Sequence, residues 1–166
     1  MENGALKDTT LLFLVRREEG GAVSEICLSM KKRGFGTGKW NGVGGKLEPG
    51  ESIEDAARRE TEEEIGVRVG LIRQMAQLEF RYGPRPDWDQ LVHVFFAEDW
   101  EGEPEESEEM RPEWYAVADI PFGSMWPDDA IWLPEVLAGK TISGRFRFRE
   151  GEMIAWYELI NETDRE

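Results

Sequence analysis

The sequence predicts an α/β fold: a single domain built as an α/β/α sandwich, with a mixed central sheet between helices. Three observations predict it. Short runs rich in Val, Ile, Leu and Phe recur along the chain, separated by Gly, Pro and Asp turn clusters. Two segments carry helix signals instead, one ending at Ile65-Gly66 and one starting at Trp126-Pro127-Asp128-Asp129. The 166 residues, 40% of them hydrophobic, suffice for one core, and no repeat or linker divides them. Residues 1–166 are therefore expected to form one domain, with its core at about 10–160.

In order, Thr9 to Val15 is an apolar, β-branched strand, and Arg16 to Gly21 a charged hairpin loop. Val23 to Met30 returns. A basic glycine-rich loop follows, Lys31 to Lys39 (KKRGFGTGK). Such loops are commonly slack surface turns. This one lies directly before a glycine turn, so it is expected to be a mobile wall bringing Lys31 or Arg33 to phosphates and Phe35 to a base. Asn41-Gly42-Val43-Gly44-Gly45 is the turn, and Pro49-Gly50-Glu51 leads to a helix capped by Ser52, with Glu54 and Asp55 in its first turn. Gly66 stops it. Val67 to Phe80 holds one or two strands broken at Gly70. Tyr82 to Asp89 is a turn cluster with two prolines, and Gln90 to Ala97 a strongly apolar strand.

Glu98 to Glu109 has acids at eight of twelve positions, which predicts a solvated loop. A strand from Trp114 to Val117 and a turn at Ala118 to Pro121 precede the second helix, which Asp128 or Asp129 is placed to cap; Gly139 ends it. Ile142 to Phe148 and Met153 to Leu159 form a terminal hairpin, and Glu162 onward is expected to fray.

The acids of the first helix carry the chemistry. Glu60, Glu63 and Glu64 stand at i, i+3 and i+4, on one face, where like charges repel. A divalent cation among them resolves that, and an all-oxygen set suits magnesium or manganese. A solvated acidic face is the plainer alternative, but it leaves the glycine turn and the placing of Glu51 and Arg59 unexplained.

Composition excludes some classes. Acids outnumber bases 35 to 20, a net charge of -15, which argues against gripping nucleic acid by its backbone. A polyphosphate remains possible if metal ions and a few cations screen it. Cys27 is alone, so no internal disulfide forms, and between Ile26 and Leu28 it reads as a buried strand thiol. His93, between Val92 and Val94, reads as structural rather than as a base. Met1 to Thr10 has no apolar leader core and no run reaches membrane-spanning length, so the expected compartment is the cytoplasm.

Residues 45–67, GKLEPGESIEDAARRETEEEIGV, resemble the Nudix box, GX5EX7REUXEEXGU with U a bulky aliphatic. Gly45, Glu51, Arg59, Glu60, Glu63, Glu64, Gly66 and Val67 fall on it, and Thr61 departs from it at a core-facing position. The wider resemblance, over about Thr10 to Leu159, is to the animal MutT-like subgroup that hydrolyses oxidised purine nucleoside triphosphates. It is carried by MKKRGFGTGKWNGVGGK, HVF, EMRP, IPF and MWPDD. This resemblance implies hydrolysis of triphosphates of the 8-oxo-dGTP and 2-oxo-dATP class to monophosphate and pyrophosphate. It implies magnesium held by Glu60, Glu63, Glu64, the Gly44 carbonyl and Glu109. The base would be Glu64, with Glu60 and Glu109 as alternatives, and Arg59 and Glu51 would pair to hold helix against loop.

Matching positions place Thr10, Lys31, Phe35, Asn41, Phe80, Met110, Trp126, Asp128, Asp129 and Trp132 around the purine. Tyr82 to Gln90 carries one extra residue, Gln90 falls near an apolar pocket position of that subgroup, and the Arg16 to Glu25 hairpin is longer. A small nucleotide substrate and a monomer are expected. The competing readings are a Nudix hydrolase of ADP-ribose, a dinucleoside polyphosphate or an unmodified nucleotide, and a non-catalytic nucleotide-binding module. The module would be expected to have lost a box acid, and none is lost.

Overall fold

The computed structural model describes residues 6–163. Its chain order is β1 (Lys7–Arg17), β2 (Val23–Lys31), β3 (Trp40–Asn41), α1 (Ile53–Ile65), β4 (Arg68–Val69), β5 (Ile72–Tyr82), β6 (Gln90–Ala97), β7 (Trp100–Glu101), β8 (Met110–Ala116), α2 (Asp129–Leu137), β9 (Ile142–Arg149) and β10 (Met153–Asn161). The main sheet runs β10-β9-β5-β6-β1-β2-β3, with β8 also on β2, and β4 pairs separately with β7. The β1–β6 and β5–β9 pairs are parallel and the rest antiparallel, so the sheet is mixed as expected.

The central strands read as continuous apolar runs because both of their faces are buried. Phe13 and Val15 of β1, with Val94 and Phe96 of β6, pack with Trp132, Leu133 and Val136 of α2. Leu12 and Leu14, with Phe95 and Ala97, pack on the other side with Ala57 and Ile65 of α1. Sequence alternation thus becomes two cores on opposite faces of one sheet.

Helix α1 begins and ends where its sequence says. Ser52 is extended and its hydroxyl accepts from the Asp55 backbone N–H, a cap worth about 1 kcal/mol. Gly66 closes the helix at φ 72°, in the left-handed region. Thr61, at the box's aliphatic position, is fully buried, and its hydroxyl donates to the Ala57 carbonyl at 2.7 Å. An unpartnered buried hydroxyl costs about 1–3 kcal/mol, and this bond removes that cost.

Several expectations are corrected. The strand placed at Trp114 starts at Met110; Pro112 lies inside it, tolerated because β8 pairs only with β2. The first strand extends through Arg17 into the charged hairpin. The acid-rich loop contains β7, and Lys32 ties it down by donating to Glu106 at 2.6 Å and to the Ser107 carbonyl at 2.8 Å. The basic glycine loop is laced by its own backbone, with Gly38 N–H donating to the Lys31 carbonyl and Lys31 N–H to that of Lys39. Glu162 and Thr163 do not fray: Glu162 N–H donates to the Thr141 carbonyl, and Thr163 Oγ1 accepts from Thr141 N–H. The expected tail beyond them lies outside the described residues.

Candidate active site

The glycine turn belongs against β1 because nothing larger fits. Below Val15, the free edge of β1 pairs with this turn: Leu12 and Val43 exchange backbone hydrogen bonds, and Thr10 N–H donates to the Gly45 carbonyl at 2.9 Å. A Cβ on Gly44 would sit 1.8 Å from the Thr10 carbonyl oxygen, and one on Gly45 would sit 2.7 Å from the Glu60 carboxyl. Bare backbone therefore lies directly under the acidic face of α1.

Arg59 fixes that face. Its guanidinium donates to both carboxylate oxygens of Glu51, at 2.8 and 3.0 Å, and to the Lys46 carbonyl at 3.1 Å. It also reaches Glu60 at 2.9 Å and Glu63 at 3.2 Å. The bidentate pair clamps helix to loop, the geometry expected of these two residues. Glu51 is held below the usual carboxylate range by the Arg59 hydrogen bond.

Glu64 is the strained member. Burial first, and then the charge of Glu60, push its carboxyl up to about 8; the Gly44 backbone N–H and the Lys31 charge oppose this. Its Oε2 is buried without a hydrogen-bond partner. Burial also raises Glu60, whose carboxyl meets that of Glu64. Glu60, Glu63, Glu64, Glu108, Glu109, Ser107 and Arg33 line a cleft of about 290 Å³. Among the described residues no three His, Cys, Asp or Glu side chains close around an ion-sized point, so the acids form an open cleft rather than a cage. An orphaned buried oxygen beside a touching carboxyl pair is the donor set a hard divalent cation fits. Arg33 lies 3.3 Å from Glu109 and 3.6 Å from Glu108, at the rim of this cleft.

Glu64 also reaches a second space. A cavity of about 240 Å³ is lined by all ten residues the sequence placed around a purine: Thr10 of β1, Lys31 of β2, Phe35, Asn41 of β3, Phe80 of β5, Met110 of β8, Trp126, Asp128, Asp129 and Trp132. Gly44 and Glu64 close its other end. Phe35 stacks on Trp126 with centroids 5.2 Å apart, and Lys39 lies 5.0 Å from the centre of the Trp126 ring.

The acid pair at the cavity wall is more than a cap. Asp128 makes no side-chain cap bond; its Oδ2 accepts from Trp132 Nε1 at 2.8 Å. Asp129 Oδ2 accepts from the Trp126 backbone N–H at 3.1 Å. Both acids are buried, and burial raises both, Asp129 further because it also faces the Asp128 charge. Two acids so buried and so close do not both ionise cheaply, so the pair favours keeping one proton between them.

His93 and Cys27 stay outside the chemistry. His93 Nδ1 and Nε2 lie 3.1 Å from Gln74 Nε2 and 3.0 Å from Asp8 Oδ1. Burial pushes the Cys27 thiol up to about 12, which keeps it unreactive. Sequence reasoning missed Thr9, Leu11, Ser29, Leu78, Tyr82 and Val92 among the lining side chains and noted Gln90 only as a departure. β1 is buried on both faces, so no alternation in its sequence tells Thr9 from Thr10, and nothing local marks Tyr82.

A sequence model of the NUDIX domain matches residues 6–136. The oxidized purine nucleoside triphosphate hydrolase of Danio rerio is 47% identical over 140 residues, 84% of this chain and 88% of that protein. The Mus musculus protein of the same name is 45% identical over 134 residues, 81% and 85% of the two chains. The crystal structure of the MutT protein from Bacillus halodurans superposes with a TM-score of 0.79 at 25% identity, over 93% of this chain and 97% of that one. With the domain matched over most of its length and near half of its residues shared with such relatives, the chain belongs to the NUDIX domain family.

Proposed function

We propose that the protein is a pyrophosphohydrolase that converts oxidised purine nucleoside triphosphates to the monophosphate and pyrophosphate, with magnesium or manganese bound. One observation carries this reading: Glu64 stands at the junction of the aromatic cavity and the acidic cleft, so a purine in the first directs its phosphates into the second. The names of the Danio rerio and Mus musculus relatives support the substrate class.

Glu60, Glu63, Glu64, Glu109 and the Gly44 carbonyl are the groups that would hold the cation. When bound, it supplies charge neutralisation to the phosphates and a lowered pKa to attacking water. Phe35 and Trp126 stack on the base, and Asn41 with the Asp128–Asp129 pair reads its edge. Lys31 meets phosphate oxygens. Glu64 takes the water's proton, as water oxygen bonds to phosphorus and the anhydride bond breaks towards pyrophosphate. Arg59 and Glu51 keep the acids in register. No helix is long and apolar enough to cross a membrane; a monomer in the cytoplasm is the setting we propose. A second reading, a Nudix hydrolase of another nucleotide, has one observation in its favour: the polar Gln90 in the cavity wall.

The test is a panel of 8-oxo-dGTP, 2-oxo-dATP, dGTP, dATP, ADP-ribose and a dinucleoside polyphosphate, with product identification, in magnesium and in excess chelator. The expected result is pyrophosphate release, a preference of about tenfold or more for the oxidised purines, and no turnover in chelator. Preference for ADP-ribose or the dinucleotide, or full activity in chelator, overturns it.

A further inference from the structure

Tyr82 ends β5 with its ring clamped on three sides. It stacks on Phe148 at 5.0 Å and 12°, meets the edge of Trp88 at 5.8 Å, and lies 6.5 Å from Phe80. Its backbone N–H donates to Asp89 at 2.7 Å, which closes the turn carrying Trp88 back onto the strand. A ring so confined has one direction left for its hydroxyl. Tyr82, Gln90 and Thr9 all line the 240 Å³ cavity.

Their hydrogen bonds have a polarity. Thr9 Oγ1 donates to Gln90 Oε1 at 2.9 Å. With its oxygen turned to Thr9, the Gln90 amide keeps its N–H group for another acceptor, and Tyr82 shares the cavity wall with it. An N–H donated to the Tyr82 oxygen leaves the phenol's own proton for a further partner. Asp128, whose charge reaches the phenol, already accepts from Trp132 Nε1. Burial and the negative charge of Asp128 keep the phenol protonated and so a donor. A half-buried donor with its ring clamped, on the wall of a ligand cavity, discriminates between ligands that offer an acceptor and those that do not.

We propose that Tyr82 is a specificity-determining residue and Gln90 its positioning residue: the relay from Thr9 through Gln90 aims the Tyr82 hydroxyl at the bound base, and selects purines that present a carbonyl oxygen or an unprotonated ring nitrogen there. This inference rests on the reading of the cavity as a purine pocket, and adds to the acid pair a donor that cannot change its protonation at working pH.

The experiment compares the best triphosphate substrate with analogues in which each acceptor of the base is removed in turn, a ring nitrogen by carbon or a carbonyl by hydrogen. The wild type is expected to show a KM about tenfold higher for one analogue, with kcat within about twofold. In Tyr82→Phe, which keeps the clamped ring, that discrimination disappears. Gln90→Met loses part of it, and the double variant is no worse than Tyr82→Phe, because Gln90 acts through Tyr82. A Tyr82→Phe enzyme that still discriminates, that loses equally on every analogue, or whose loss adds to that of Gln90→Met overturns the proposal. If the wild type turns over no oxidised triphosphate, the proposed function falls separately. The same comparison is then read as dissociation constants of the nucleoside monophosphates by calorimetry, with the same deciding outcomes.

Discussion

Replacing Glu64 by Gln should stabilise the protein in the absence of metal while removing its activity. In the metal-free fold the Glu64 carboxyl is pushed from 4.5 up to about 8. Below 4.5 both the folded and the unfolded chain hold the proton, and the group costs nothing. Above it the unfolded chain gives the proton up and the folded chain keeps it, at about 1.4 kcal/mol per pH unit, up to the folded value. At pH 7 the full cost is about 3 kcal/mol. Water in the open cleft screens part of it, leaving about 1–3 kcal/mol. Gln carries no such cost, so in excess chelator at pH 7 its Tm should rise by roughly 3–10 °C. The gap should close as pH falls towards 4.5 and widen towards 8. With magnesium the gap should narrow or reverse, since a cation at about a hundredfold its Kd adds about 2.7 kcal/mol to the wild type and less to the variant. Turnover should fall by orders of magnitude. Scanning calorimetry across pH, with and without metal, checks this. A chelated variant no more stable than wild type, with a gap flat across pH, would refute the reasoning.

Asp128→Asn keeps an oxygen to accept from Trp132 Nε1 but replaces the other acceptor by a fixed donor and removes the charge, and should change the ratio of catalytic efficiencies between oxidised and normal purine triphosphates by about tenfold or more, about 1.4 kcal/mol, while metal-dependent cleavage persists. An unchanged ratio with only a lower Tm would leave the pair a structural role. Asp129→Asn puts a neutral donor in place of the acid that burial and the Asp128 charge raise; it should hold efficiency within about fivefold and flatten the stability that the wild type loses as pH rises above 3.8, read as Tm against pH. Gly44→Ala, whose Cβ would sit 1.8 Å from a backbone oxygen, should abolish soluble expression or lower Tm steeply. Gly123→Ala, with nothing within 4 Å, should change Tm by less than about 2 °C.

What the sequence disclosed was local. The cap at Ser52, the stop at Gly66 and the break at Gly70 each depend on residues within a few positions, and each stands where it was expected. The spacing of Glu60, Glu63 and Glu64 puts them on one face for the same reason. The ten cavity residues came from a resemblance, because they lie on strands and loops distant in sequence and no spacing rule gathers them. Tertiary pairing supplied the rest. Pro112 argues against a strand until an edge position excuses it, and the acid-rich loop shows β7 only when β4 is present to pair with it. Thr9 reads as a strand residue like its neighbours; that its hydroxyl meets Gln90, 81 residues away, depends on the parallel register of β1 and β6.

The cleft and the cavity solve one problem in two ways. Each holds a pair of carboxyls pressed together in low dielectric, where both cannot ionise cheaply. At the Asp128–Asp129 end, Trp132 Nε1 and the Trp126 backbone N–H each cover one oxygen and both acids are buried, so keeping a proton on the pair costs less than ionising both. At the Glu60–Glu64 end, the neighbours are further acids and a rim of water, Arg59 satisfies Glu60 alone, and one Glu64 oxygen is left over. A proton suits the first pair, because donors are already in place and there is no room for an ion with its shell. A divalent cation suits the second, because it answers several carboxylates at once and leaves coordination positions facing the cleft. The fold thus sorts two similar acid pairs by what surrounds them, in the proposed reading one for the base and one for the phosphates, and Glu64 is the residue that lines both spaces.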